Sequence, residues 1–120
     1  TAGMIRRTDT AGVGGIESVP VLSHATALHQ NYPNPVSQSR HGGTTILFTL
    51  PDEGRRHVTL TLYDALGRIV ASLVDENRDP GLHSVSVPPT VLAQIPSNQI
   101  VYYTLRAGEY QATRQMLVIE

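Results

Sequence analysis

Five histidines (His24, His29, His41, His57 and His83) and a loop-borne set of carboxylates (Asp52, Glu53, Asp75, Glu76 and Asp79) are the side chains here suited to metal or acid–base chemistry. A zinc site needs ligands at close, fixed spacing such as HxxxH. The five histidines share no such spacing, and cysteine is absent, so they read as solvated side chains. Hairpin ends could gather the carboxylates as hard oxygen ligands for calcium, but no segment has the DxDxDG order that such loops use. Solvated loop charge is the simpler reading. No Ser stands in a GxSxG turn, and "AGVGG" is not attached to a strand–helix unit that could cradle phosphate. Arg55 and Arg56 read as a wet hairpin end. Tyr102 and Tyr103 are adjacent, so they point to opposite faces of a strand, and a one-sided row of aromatics of the kind that stacks on sugars is not spelled out. Neither catalysis nor a cofactor is expected.

The balance of charge narrows the partners. Formal net charge is −1, with acids and bases interspersed, so neither nucleic acid nor an anionic membrane is an expected partner. All nine basic residues are Arg, which fixes no function. Without cysteine there are no disulfides, and the redox compartment stays open. The longest apolar run, residues 116–119, is far short of a membrane span. A start at Thr1 implies a piece of a longer chain, with any amino-terminal targeting signal outside it.

The elements that would position these groups are strands. Residues 1–27 are Gly-, Thr- and Ala-rich without periodicity and read as a flexible linker, leaving 28–120 as one domain of a size that buries a single core. "NYPNP" (31–35) carries two prolines that fix φ and hold their predecessors extended, a rigid non-helical lead-in. Alternation then marks strands in "TTILFTL" (44–50), "HVTLTLY" (57–63), "LHSVSV" (82–87) and "IVYYTLRA" (100–107). "RIVASLV" (68–74) is apolar in both phases and reads as more enclosed. In "YQATRQMLVIE" (110–120) Arg114 shares the phase of Ala112, Met116 and Val118, which predicts a bulge nearby. "DALG" (64–67) sets Asp64 where a type I turn wants an acceptor and Gly67 where a left-handed residue closes a bulged hairpin. "DPG" (79–81) and "AGE" around Gly108 read as further turns, and residues 90–95 have room for one short helical turn between prolines. Six or seven strands at this spacing predict an all-β, antiparallel β-sandwich.

Taken in order, "ALHQNYPNP", "TTILFTLP", "LYDALGRIVASLVD", "PGLHSVSV" and "YTLRAGEYQATRQMLVI" resemble the C-terminal sorting domain of proteins exported by the type IX (Por) secretion system, over residues 27–120. The same text is similar to the immunoglobulin-like domain of the flagellar hook-capping protein. The resemblance implies an immunoglobulin-like sandwich of about seven strands at the end of a secreted protein. It further implies a non-catalytic address that directs an upstream passenger, an extracellular enzyme, across the outer membrane to the cell surface or medium. Implied partners are components of the type IX machinery and a sortase-like peptidase that removes the domain, with the domain itself monomeric. The motif positions carried over are Asn31, Pro33, Asn34 and Pro35 in the lead-in, Asp64, Gly67 and Arg68 in the hairpin, and Gly108 before the final strand. Their implied roles are recognition and folding. Cleavage would fall in the linker, where an extended chain can enter a peptidase cleft. Where family members continue the lead-in with Phe-Asn-Pro-Ser, this chain has Val36 and "SQSRHGG", and it closes on Glu120 rather than a basic residue. The rival expectation is a carbohydrate- or calcium-binding accessory sandwich of an extracellular hydrolase.

Overall fold

The structure, a computed structural model, describes residues 26–120. Its strands are β1 (Ala27–Leu28), β2 (Val36–Ser37), β3 (Thr44–Leu50), β4 (Arg56–Tyr63), β5 (Ile69–Arg78), β6 (Gly81–Val87), β7 (Gln99–Ala107) and β8 (Tyr110–Ile119), with one short helix, α1 (Pro89–Leu92), between β6 and β7. They form two sheets, of order β1-β3-β6 and β2-β8-β7-β4-β5. Every pairing is antiparallel except β2 with β8, where Val36 and Ser37 lie beside Val118 and Ile119 in parallel. The first strand thus joins one sheet and its continuation the other, and the two sheets make an all-β sandwich. The linker expected over 1–27, with His24, lies outside the described residues except at its end, where Ala27 already pairs with Thr49.

Alternation builds the core. Ile46, Phe48 and Leu50 of β3 and Val85 and Val87 of β6 face Val58, Leu60 and Leu62 of β4 and Val101, Tyr103 and Leu105 of β7, all nearly or fully buried. Leu92 and Ile95, from the crossover that carries α1, also enter this core. Burying a side chain of this size contributes roughly 1.5–3 kcal/mol. The interleaved polar residues Thr59, Thr61, Ser84 and Ser86 stay half-buried or exposed on the outer faces. One face dry and one wet is what period-2 patterning specifies in an antiparallel sheet.

Two expectations are corrected. First, "RIVASLV" is not enclosed: β5 is the outer strand of the five-stranded sheet, and Ile69 is exposed. Its register against β4 slips between Leu60 and Thr61 and again between Leu62 and Tyr63, so two β5 residues are extra to the pairing. Those bulges break the period and let Val70, Ala71, Leu73 and Val74 all pack on the core, which is why the run is apolar in both phases. Second, β8 has no bulge at Arg114. Its pairing with β7 runs unbroken from Gln99–Val118 to Ala107–Tyr110, and Arg114 stays in phase opposite Tyr103. At the open side of the sandwich its Nε donates to the Leu28 carbonyl (2.7 Å), so the inward phase holds a charge without burying it. The "DPG" segment forms the corner at which the chain leaves β5 and crosses to β6 in the other sheet.

Gly43 leads into β3 with φ +131°, and a Cβ there would lie 2.5 Å from the Val87 carbonyl oxygen. Backbone strain and a clash with backbone both oppose any side chain. We therefore expect Gly43→Ala to destabilise the domain by about 1–3 kcal/mol, read as a lowered midpoint in urea unfolding.

Candidate functional site

The motif residues fall into three local structures, and each can be built from its chemistry. In the lead-in, Asn31 is almost wholly buried. Its backbone N–H donates to the Tyr103 phenol oxygen (2.9 Å), and that phenol donates in turn to the His29 carbonyl (2.9 Å). The Asn31 amide nitrogen donates to the Pro33 carbonyl and the Thr44 hydroxyl, both at 3.1 Å, while its oxygen accepts from Gln30 (2.7 Å). Thr44 Oγ1 completes the knot by donating to the same Pro33 carbonyl (2.9 Å). Asn34 is exposed, yet its side-chain oxygen accepts from the backbone N–H of Leu117 on β8 (3.0 Å). Pro33 is half-buried and Pro35 exposed. Asn31 and Pro33 therefore tie the start of the domain to β7 and β3, and Asn34 ties it to the last strand.

The hairpin between β4 and β5 is built by one carboxylate. Asp64 Oδ1 accepts from the N–H groups of Leu66 and Arg68, both at 2.9 Å, and Oδ2 accepts from Arg68 Nε (2.9 Å). Gly67 donates to the Asp64 carbonyl (3.0 Å) and takes φ +85°, as a type I turn closed by a left-handed residue requires. The hydrogen bond from the Arg68 backbone N–H, together with those from Leu66 and the Arg68 side chain, holds the Asp64 carboxyl below its ordinary pKa despite partial desolvation. Arg68, Leu66 and Ile69 stand out at the tip, with the Arg68 side chain 75% exposed. Gly108 makes the third turn: it takes φ +63° as the first of the two loop residues between Ala107 and Tyr110, the position a type II′ hairpin reserves for Gly.

Register shows which of these lie together. Gln115, Tyr102 and Tyr63 pair in one row across β8, β7 and β4, and Tyr63 faces Ile69 on β5. The lead-in crosses β8 at the level of Leu117, so it and the 64–68 hairpin share one end of the five-stranded sheet, on opposite edges. Gly108 sits at the other end, near Arg56. The same row brings Tyr63 and Tyr102 side by side on the outer face. Neighbours in sequence suggested no aromatic pair, because the pair forms between strands.

The remaining titratable groups are dispersed. His57 Nε2 meets Asp75 (2.7 Å), His83 stacks on Phe48 with ring centres 5.1 Å apart, His41 Nδ1 accepts from the Ser37 N–H (2.7 Å), and His29 lies 3.3 Å from Thr49 Oγ1. Glu53, Glu76 and Asp79 are each engaged by an arginine: Arg56, Arg78 and Arg55 respectively. Among the described residues no three His, Asp or Glu side chains converge on a common point that could hold a metal. Sequence reasoning missed Gln38, whose Nε2 donates to the Leu92 and Ile95 carbonyls (2.8 and 2.6 Å) and so closes the end of α1 from a loop more than fifty residues away. No local pattern signals such a contact.

Compared with family models, curated proteins and solved structures, the chain matches none.

Two outcomes follow from this geometry. Burial pushes the Tyr103 phenol above its usual pKa, outweighing the opposing effects of the Asn31 N–H and Arg114, so it acts as a neutral donor and acceptor. Tyr103→Phe leaves the Asn31 N–H and His29 carbonyl unpaired, and we expect a loss of about 1–3 kcal/mol in denaturant unfolding. Asp64, with its lowered folded pKa, contributes stability fully present above the unfolded carboxyl value of about 3.9 and lost as pH falls through the folded value. We therefore expect Asp64→Asn to melt below the unmodified chain at neutral pH, and the gap to close as melting is repeated at progressively lower pH beneath about 4.

Proposed function

We propose that this domain is a non-catalytic export signal that directs an upstream passenger across the outer membrane through a type IX-like system and marks it for surface attachment. The observation that carries the reading is the conjunction of its motifs. Asn31–Tyr103–Thr44 chemistry makes the lead-in part of the fold, while the Asp64–Gly67–Arg68 hairpin presents Arg68 to solvent on a rigid turn. A signal of this kind needs a stable body and an exposed, fixed feature, and the buried core and this hairpin are suited to those two needs. Its expected partners are a docking component of the secretion machinery, a sortase-like peptidase and the passenger.

The accessory-module reading divides on the structure. Calcium is disfavoured because Glu53, Asp75, Glu76 and Asp79 are each held by an Arg or His. Carbohydrate gains from the Tyr63–Tyr102 pair on the outer face, since two neighbouring aromatic side chains can present apolar faces to a sugar.

The test is a fusion of the 120-residue chain to the C-terminus of a periplasmic reporter, produced in a bacterium with this secretion system and in its secretion-null mutant. We expect reporter at the surface or in the medium only of the competent strain. We further expect Arg68→Glu to reduce export while the variant still melts cooperatively, at a temperature lowered only by the loss of its exposed pair with Asp64. Periplasmic retention in both strains would reject the export reading and turn attention to glycan binding.

A further inference from the structure

The five-stranded sheet has two unlike edges. On β5 the edge is bulged twice and carries Asp75, Glu76, Asn77 and Arg78, features that keep an edge from pairing with another strand. On β8 the opposite edge is regular, and its 110–115 stretch holds no proline, no bulge and a single charge, Arg114.

Backbone direction shows what that edge offers. The Val118 carbonyl accepts from Asn98 (2.7 Å) on the side of β7, whereas the Gln115 carbonyl and Leu117 N–H turn the other way, to the side-chain amides of Gln30 and Asn34. Groups alternate along a strand, so Gln111 and Thr113 also direct N–H and C=O outward. Among the described residues they have no backbone partner, because β2 reaches only Val118 and Ile119. Where the lead-in passes, side chains cap the edge. Beyond it, among the described residues, the edge is open.

A groove of about 350 Å³ lies at this place, lined by Gln30, Tyr102, Thr113, Arg114 and Gln115. Its lining contains one cation and no carboxylate. The bond from Nε to the Leu28 carbonyl fixes the Arg114 guanidinium, which has four further N–H donors in the fork that suits a carboxylate. We propose that the 110–115 edge accepts an extended segment of another polypeptide as an added strand, with a carboxylate side chain of that segment seated against Arg114. Main-chain bonds to Gln111 and Thr113 supply the attachment, and the groove supplies the selectivity. The inference is independent of the export reading.

The experiment selects displayed random twelve-residue peptides on the full 120-residue chain, then compares the selected peptides on Gln111→Pro. The proline removes an outward N–H while leaving the bonds between β8 and β7 intact. We expect acidic, strand-forming peptides whose binding slows hydrogen exchange at Gln111 and Thr113, is lost in Gln111→Pro, and weakens about fivefold or more when the peptide carboxylate becomes an amide. The last comparison leaves the protein untouched, so it stands even if the variant folds poorly. Selection of no peptide, or of peptides indifferent to both changes, overturns the proposal. So does protection of these amides in the free chain: independent of concentration it assigns the edge to the chain's own upstream residues, and rising with concentration it assigns it to a second copy.

Discussion

The Tyr103 hydroxyl is the contact on which the closure of this sandwich depends. Two sheets packed face to face need something to hold their margins together, and here the first strand begins in one sheet and resumes in the other. The segment that crosses between them keeps only a few backbone bonds to β3, from the His29 N–H to the Leu47 carbonyl and in both directions between Tyr32 and Thr45. Groups that these bonds leave over are satisfied by side chains, and the phenol answers two of them, the Asn31 N–H and the His29 carbonyl, from the middle of β7. Asn31 and Thr44 then satisfy the Pro33 carbonyl, and Asn34 reaches β8. A buried polar group is costly alone and stabilising when fully paired, so this knot favours one path for the lead-in over any other.

The long strands were legible because their burial is one-sided. Val58, Leu60 and Leu62 alternate with Thr59, Thr61 and Tyr63, and in the structure the first set is buried and the second half-exposed. The turns were legible because Asp64, Gly67 and Gly108 meet local backbone demands that few other residues meet. Where reading failed, the deciding contact was distant. The two-residue strands β1 and β2 are too short to show any period, and only their pairing with Thr49 and Val118 defines them. The phase of β5 was hidden by two bulges that exist only relative to β4. Arg114 looked like a violation of pattern because its partner, the Leu28 carbonyl, lies 86 residues away.

The same distinction governs the candidate site. Asn31 and Asn34 are identical as residues and three apart, yet one is buried as a four-bond hub and the other lies on the surface as a cap for one strand N–H. Their spacing marked both, but only the fold separates a residue whose loss would disturb the core from one whose loss would open an edge. The Tyr63–Tyr102 pair shows the converse. Reading along the chain set Tyr102 against Tyr103 and found them on opposite faces, which is correct, while the partner that shares the face comes from another strand.

The hairpin at 64–68 shows how far one side chain can serve both geometry and recognition. The Asp64 carboxylate accepts two backbone N–H groups and the Arg68 Nε, three bonds that fix it against its own turn. It has little capacity left for an outside donor, and its negative charge is compensated within the hairpin. Leu66, Arg68 and Ile69 are different, because each is held by the turn at its backbone and exposed along its side chain. A partner that touches this tip therefore meets two apolar side chains flanking a guanidinium, on a scaffold whose shape Asp64 and Gly67 have already set. Geometry and recognition are thus divided between neighbouring residues: replacing Asp64 would change where Arg68 is presented, whereas replacing Arg68 would change what is presented at an unchanged place.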